Sequence, residues 1–395
     1  MSSINENIET TLITASTRGD YEQKTGAVNV PIYLSSTFDQ KHFDSFGPYD
    51  YSRSGNPTRD ALEKTIAELE GGTRGFAFSS GIAAIASAFM ILEAGDHIVV
   101  TSEVYGGTYR FVTQVLTKFG IEHTFADFSD LASVEAAIRP NTKVLYIETP
   151  ANPLLGITDI EGVVAIAKAN GALTFLDNTF MTPLYQRPLD LGVDVVLHSA
   201  TKFLGGHSDI IAGLAVTKDV ELGNRIYFMQ NSFGAILGAQ DSFSLIQGIK
   251  TLNARLTQST ASASKLAHYL DAHELVEEVH FPGLKSHPGH DIHAKQAKSA
   301  GAVLSFTLPN REITKAFVEH VQIPIFAVSL GGVESILSYP ATMSHAAIPK
   351  EEREKRGITD GLLRFSVGLE NIDDLIADFE QAFSKVKELA VVGNK

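Results

Sequence analysis

Apolar residues recur along the first two-thirds of this 395-residue chain in short runs. The runs at 75–78, 97–100, 123–126, 143–147, 172–176 and 193–197 are short, mostly apolar and lack helical spacing. They predict buried strands. Between them lie helical spacings. Leu62, Ile66 and Leu69 share one face of a helix that starts after Asn56-Pro57-Thr58 and stops at Gly71-Gly72. Further helices are predicted at 82–92, 108–118, 131–138 and 160–169. Apolar strands alternating with helices predict an α/β fold with a mainly parallel sheet, buried on both faces.

The texture changes at both ends of this region. Residues 1–55 lack sustained periodicity and are rich in Thr, Ser, Gly and Tyr, as expected of an extended arm lying over another surface. After about residue 250 a long Ala- and Ser-rich helix is predicted at 252–270. The stretch 301–308 alternates like a half-exposed antiparallel strand, and further strands at 325–330 and 363–367 precede a helix at 372–389. The expected division is an arm (1–55), a large domain (56–250) and a smaller C-terminal α+β domain (251–395). The run 351–356 reads as a solvated helix face, and 71–75 as a connector.

Composition narrows the function. A hydrophobic content of 44% with 20% charged residues fits an ordinary globular chain with a large core. The formal charge of −14 opposes attraction to nucleic acid or an anionic membrane. Cysteine is absent, which excludes disulfides, thiolate metal sites and cysteine nucleophiles and fits a reducing compartment. The polar, acidic start Met1-Ser2-Ser3-Ile4-Asn5-Glu6-Asn7 has no signal-peptide pattern. The stretch 82–92 is about half the length that spans a bilayer. A cytoplasmic protein is expected. His287, His290 and His293 are spaced three apart, but Pro288-Gly289 breaks any helix that would align them, so no metal site is expected.

In open α/β sheets ligands sit beyond the carboxyl ends of the strands, where Glu148, Asp177 and Lys202 fall. A lysine delivered there suits a carbonyl cofactor held as a Schiff base, and pyridoxal phosphate is the candidate. Lys202 would supply the amine, which must be neutral to attack. Asp177 would pair with the pyridine nitrogen, oriented by Asn178-Thr179. Ser79-Ser80-Gly81-Ile82, between a strand and a helix, offers free N–H groups for a phosphate, with Ser199 and Thr201 adding hydroxyls. Tyr105 could stack on the ring, with Gly106-Gly107 giving clearance. Tyr51 and Arg53, near the arm, suit a phosphate contact across a subunit interface. Arg364, in a predicted strand, needs an anionic partner, and a substrate carboxylate is the natural one.

These residues carry a resemblance. The chain resembles the pyridoxal phosphate-dependent trans-sulfuration enzymes of cysteine and methionine metabolism from about Thr25 to about Phe383. The markers are Tyr51-Ser52-Arg53-Ser54-Gly55-Asn56-Pro57-Thr58, Ser79-Ser80-Gly81, Tyr105-Gly106-Gly107-Thr108 and Glu148-Thr149-Pro150-Ala151-Asn152-Pro153. Asp177-Asn178-Thr179, Ser199-Ala200-Thr201-Lys202, Ser329-Leu330-Gly331-Gly332 and Arg364-Phe365-Ser366-Val367-Gly368 complete them. The resemblance implies an aminotransferase-like fold of type I, a homotetramer built from active dimers, and a small sulfur amino acid as substrate. It implies Lys202 as the cofactor-linked lysine and Asp177, with Thr179, at the ring. Gly81, Ile82, Ser199 and Thr201 would hold the phosphate, joined by Tyr51 and Arg53 of a neighbouring subunit. Tyr105 would stack and assist proton transfer, and Asn152, Ser329 and Arg364 would hold the substrate's α-carboxylate.

The family divides over whether the bond cleaved lies at Cβ or Cγ. Many members acting at Cγ carry Glu just before the serine matching Ser329, where this chain has Val328. Methionine γ-lyases usually carry Cys where this chain has Gly107. The segment 332–340 also resembles bacterial members acting at Cβ. Together these imply a carbon–sulfur lyase that converts cystathionine to homocysteine, pyruvate and ammonia. Cystathionine γ-lyase comes second, then γ-synthase or sulfhydrylase action. A catalytically silent pyridoxal-binding protein is the remote alternative.

Overall fold

The computed structural model describes residues 6–17, 25–346 and 349–393, with side chains through 387. Seven strands form the larger sheet: β1 (Arg74–Phe78), β2 (His97–Thr101), β3 (Glu122–Ala126), β4 (Thr142–Glu148), β5 (Leu173–Asp177), β6 (Val195–Ser199) and β7 (Gly213–Thr217). Their order is β1-β7-β6-β5-β4-β2-β3. From β6 to β3 every pairing is parallel, while β7 runs antiparallel to both β1 and β6. Side chains alternate across each strand, so unbroken apolar runs feed two cores. Leu176 and Val196 join Leu62, Ile66 and Val163 on one face. Phe175 and Leu197 join Phe89, Ile98 and Tyr146 on the other.

The helices that flank the sheet start and stop where their ends are satisfied. In the helix Pro57–Glu70, the Asn56 side chain accepts from the Thr58 and Arg59 N–H groups, and Gly71 closes the last turn at φ 71°. A left-handed residue there favours glycine. The predicted helix at 108–118 is instead two pieces, Gly106–Gln114 and a 3₁₀ turn Leu116–Phe119 closed by Gly120 at φ 76°. Strand β7 and the helices Val220–Phe233 and Ala239–Lys250 lay outside the sequence expectations. The run forming β7 is short, opens on glycine and lacks alternation.

The arm is not wholly extended. Ile8–Thr14 forms a helix that buries Leu12. Residues 27–50 are mostly irregular and exposed, with Leu34 79% and Phe43 96% accessible. Residues 1–5 of the polar start, and 18–24 of the arm, lie outside the described residues.

A second sheet of β8 (Glu278–His280), β9 (Val303–Thr307), β10 (Ile325–Phe326), β11 (Ile336–Ser338) and β12 (Leu362–Ser366) has the order β10-β11-β12-β9-β8. Strand β9 is antiparallel to its neighbours as expected, but four of its five residues are buried rather than alternating with solvent. One cause is polar: buried Ser305 donates its hydroxyl to the Pro153 carbonyl at 2.6 Å, so the polar positions face protein as well. The stretch 325–330 contributes only the two exposed residues of β10. The run 351–356 is not simply solvated, because Arg353 is buried and Arg356 Nη1 donates to the Ser102 carbonyl at 2.8 Å.

The helix Leu252–Asp271 packs Leu252 and Leu256 into the first core, and Ala263, Leu266 and Leu270 into a third core beneath the second sheet. In that third core Phe317 meets Phe379 edge-on at 5.2 Å and lies against Phe306 and Phe383. No helix among the described residues is long and apolar enough to cross a membrane. Truncating Phe317 removes a ring with no exposed surface. Phe317→Ala is therefore expected to cost about 3–5 kcal/mol, read as a lowered urea midpoint for loss of the C-terminal fold.

Candidate active site

Parallel pairing brings the carboxyl ends of β4, β5 and β6 to one edge, and each ends on a polar residue. Glu148 lies in register with Asp177, and Ser199 closes β6. Asp177 accepts from the Thr179 N–H at 3.0 Å, and Thr179 Oγ1 accepts from the Ser199 N–H at 2.8 Å. Burial pushes the Asp177 carboxyl above its usual range, and its hydrogen bonds with Thr179 pull it back. Asp177 forms no ion pair among the described residues, so a protonated ring nitrogen would meet an unneutralised acid.

Lys202 sits in the tight turn after β6, where its N–H donates to the Ser199 carbonyl at 3.1 Å. Its Nζ donates to Ser329 Oγ at 2.6 Å. Burial first, and the Arg364 guanidinium second, bring the amine down to about 8. At neutral pH roughly a tenth of such amines are uncharged, against far less than a hundredth for an ordinary lysine. The nucleophile that a carbonyl cofactor requires is present.

An anion cradle faces this edge. Ser80 caps the helix Gly81–Phe89, its Oγ accepting from the Ala83 N–H and its carbonyl from the Ala84 N–H. The first N–H groups, of Gly81 and Ile82, have no partner inside the helix and are available to a phosphate. A Cβ on Gly81 would lie 2.8 Å from Ser199 Cβ, so only glycine lets this helix start approach β6 so closely. The Thr201 hydroxyl is partly engaged, donating to the Ala212 carbonyl at 3.2 Å and accepting from its N–H at 3.0 Å. Within the chain Tyr51 and Arg53 engage other partners. Arg53 Nε donates to Asn231 at 3.3 Å, and its guanidinium lies over the Tyr51 ring.

The opposite wall carries a buried cation. Arg364, on β12, is buried; its Nη1 donates to Asn152 Oδ1 at 2.9 Å and its Nη2 to the Ser329 carbonyl at 2.6 Å and Ser338 Oγ at 3.0 Å. All three acceptors are neutral, and Arg364 Nε has no partner. Ser329 is held between Lys202 and Arg364 at φ 88°, a left-handed conformation unusual for serine. Tyr105 is 45% exposed. A Cβ at Gly107 would lie 2.5 Å from Tyr105 Cε1, so the expected clearance is real.

Three groups escaped the sequence reading of the site. Glu148 was placed at a strand end but given no role. It accepts from the Tyr105 N–H at 3.0 Å and from the Asn152 N–H at 3.2 Å. Tyr146 is fully buried, with its hydroxyl beside Asp177 and Thr108. His345, also buried, lies near Arg364 and Asn152, and burial lowers it to about 4. A carboxylate closing an apolar strand was a readable signal for Glu148. The other two look like core residues in sequence. The histidines at 290 and 293 bond backbone carbonyls at 282 and 299, and no group of three potential ligands among the described residues is placed to hold a metal.

A depressed amine, an unneutralised acid, free N–H groups at a helix start and an arginine with an unfilled donor suit pyridoxal phosphate and an amino acid together. The family model for Cys/Met metabolism PLP-dependent enzymes matches residues 9–384. The chain belongs to that family. Pyridoxal phosphate is accordingly its cofactor, and an aminotransferase-like fold of type I accounts for its mainly parallel sheet. Among relatives in this family, cystathionine beta-lyase MetC of Bacillus subtilis (strain 168) is 64% identical over 93% of this chain and 94% of its own length. A cystathionine gamma-lyase of the same organism is 51% identical over 92% and 96%. In solved structures, cystathionine gamma synthase from Xanthomonas oryzae pv. oryzae in complex with cystathionine superposes with a TM-score of 0.95 at 42% identity, covering 98% of this chain and 100% of that one. Cystathionine gamma-lyase from Lactobacillus plantarum complexed with L-serine gives 0.93 at 48% identity, covering 97% and 100%.

Two outcomes follow for this family member. Capture of pyridoxal phosphate by the cofactor-free protein should rise with pH with a midpoint near 8. Removing the nearby positive charge in Arg364→Met should move that midpoint upward, because the protonated amine is then less repelled; a parent midpoint above about 10 would refute the depressed amine. Gly107→Ala should displace the Tyr105 ring, seen as weaker cofactor binding by about tenfold and an altered visible circular dichroism band.

Proposed function

We propose that this chain is a carbon–sulfur lyase that cleaves cystathionine at Cβ, giving homocysteine, pyruvate and ammonia. The observation that carries the reading is the 64% identity, over nearly full length, with a relative named cystathionine beta-lyase. Val328 supports it: 65% exposed beside Ser329, it offers no carboxylate to a distal amino group.

Bound pyridoxal phosphate supplies an aldehyde for amines and an electron-accepting ring. Asp177, steadied by Thr179, keeps the ring nitrogen protonated. Gly81, Ile82, Ser199 and Thr201 hold the phosphate, with Tyr51 and Arg53 reaching in from a neighbouring subunit of a homotetramer. Tyr105 stacks on the ring and assists proton transfer. Arg364, with Asn152 and Ser329, holds the substrate's α-carboxylate, so that its α-hydrogen faces Lys202. Lys202 Nζ, with Ser329 Oγ in hydrogen-bond reach, takes that proton. Cleavage at Cβ needs no second carbon-bound proton removed, so one base suffices. The proposed setting is the cytoplasm.

The test is product analysis. Purified protein incubated with cystathionine is expected to release pyruvate, and Lys202→Ala to abolish turnover. 2-Oxobutyrate as the main keto acid would transfer the assignment to γ-elimination. Efficient turnover only of an acylated homoserine with a thiol would make the protein a transferase.

A further inference from the structure

Glu148 stands apart from the groups already given roles. It is a 7%-exposed carboxyl group at the end of β4 with no cationic partner among its described hydrogen bonds. Burying such a group is costly unless its lone pairs are used. They are used in a particular way. Oε2 accepts from the N–H of Tyr105, in the loop after β2, and Oε1 from the N–H of Asn152, in the loop after β4 itself. Asn152 in turn accepts from Arg364 Nη1. One side chain thus spans the ring-stacking tyrosine, the carboxylate-binding asparagine and, through it, the buried arginine. Its strand partner in register is Asp177.

We infer that Glu148 is a positioning residue, whose two carboxyl oxygens fix Tyr105 and Asn152 relative to each other and to Asp177. The inference rests on the site roles proposed above. The residue type follows from the donors. Two N–H groups approach two different oxygens, so a carboxylate satisfies both. A glutamine of the same shape satisfies only one, because its amide nitrogen would confront the other N–H. Burial and Asp177 raise the Glu148 carboxyl to about 8 against the pull of these two hydrogen bonds, so the carboxylate that satisfies both donors prevails above that pH.

The experiment compares Glu148→Gln and Glu148→Asp with the parent as holoenzymes at pH 9, where the carboxylate is the main form. Two readouts separate positioning from bulk structure: the visible circular dichroism of the bound cofactor, which needs no substrate, and the division of effects between KM and kcat. Glu148→Gln should weaken the visible band by about twofold and raise KM for cystathionine by about tenfold, the scale of one lost charge-assisted hydrogen bond. Glu148→Asp, which keeps both oxygens on a shorter stem, should fall nearer the parent in both. An unchanged band and KM in Glu148→Gln would overturn the inference. Equal loss of folding in both variants, with the surviving folded fraction showing the parent's band and KM, would overturn it too. If the parent binds the cofactor but leaves cystathionine intact, the functional reading falls, and the dichroism comparison still decides the role of Glu148.

Discussion

Two acids in register at the ends of adjacent parallel strands set the electrostatics of this site. Neighbouring strands lie about 4.8 Å apart. Two ionised carboxylates at that spacing repel by about 3–4 kcal/mol at an effective dielectric of 20. Glu148 offsets its share with two backbone N–H donors, and Asp177 with the Thr179 N–H. Such bonds are worth about 1.5–3 kcal/mol each when one partner is charged, comparable to the repulsion. Burial adds to the repulsion and raises both acids, Glu148 to about 8, and a positive charge delivered beside Asp177 would favour the ionised forms. A protonated ring nitrogen held there would be such a charge, and holding it would ease the repulsion between the two acids.

The other wall works by the opposite sign. Arg364 is surrounded by neutral acceptors that aim it but leave its charge unneutralised, and that charge helps hold the Lys202 amine near 8. An anion arriving at Arg364 would screen the guanidinium and raise the proton affinity of the amine. By linkage, an anion bound at Arg364 would make the Lys202 amine a stronger base. Ser329 lies between the two groups, hydrogen-bonded to both.

Much of this was legible in the residues. The runs ending at Asp177 and Ser199 could be read as strands because their apolar residues go to two cores rather than one. The Gly71 stop marked the end of a helix to the residue, while its start at Pro57 lies two residues before the expected one. What escaped reading depends on partners distant in sequence. Strand β7 is an apolar pentapeptide whose antiparallel place between β1 and β6 no local pattern encodes. Burial of β9 depends on Pro153, far upstream in the chain. Tyr146 and His345 are indistinguishable from core residues until the fold sets them beside Asp177 and Arg364. Lys202 and Asp177 needed no such help, since a charged residue at or just beyond the end of a largely apolar strand is anomalous on its face.

The same two-residue period that aims Asp177 and Ser199 at the site aims Asn178 and His198 away from it. Those two face a buried network. Glu70 Oε1 accepts from Asn178 Nδ2 at 3.0 Å and lies 2.7 Å from His198 Nε2, while Gln186 Nε2 reaches Asn178 Oδ1 at 3.0 Å and the Thr149 carbonyl at 3.3 Å. Glu70 belongs to the helix Pro57–Glu70, so the network ties β5, β6 and the loop after β4 to an element outside the sheet. An apolar contact would hold these ends together but would not fix their rotation, since the hydrophobic effect has no direction. Hydrogen bonds among fully buried groups do fix it, because each misalignment strands a polar atom away from water. The chemistry on one face of the strand ends therefore owes its geometry to the polar side chains on the other.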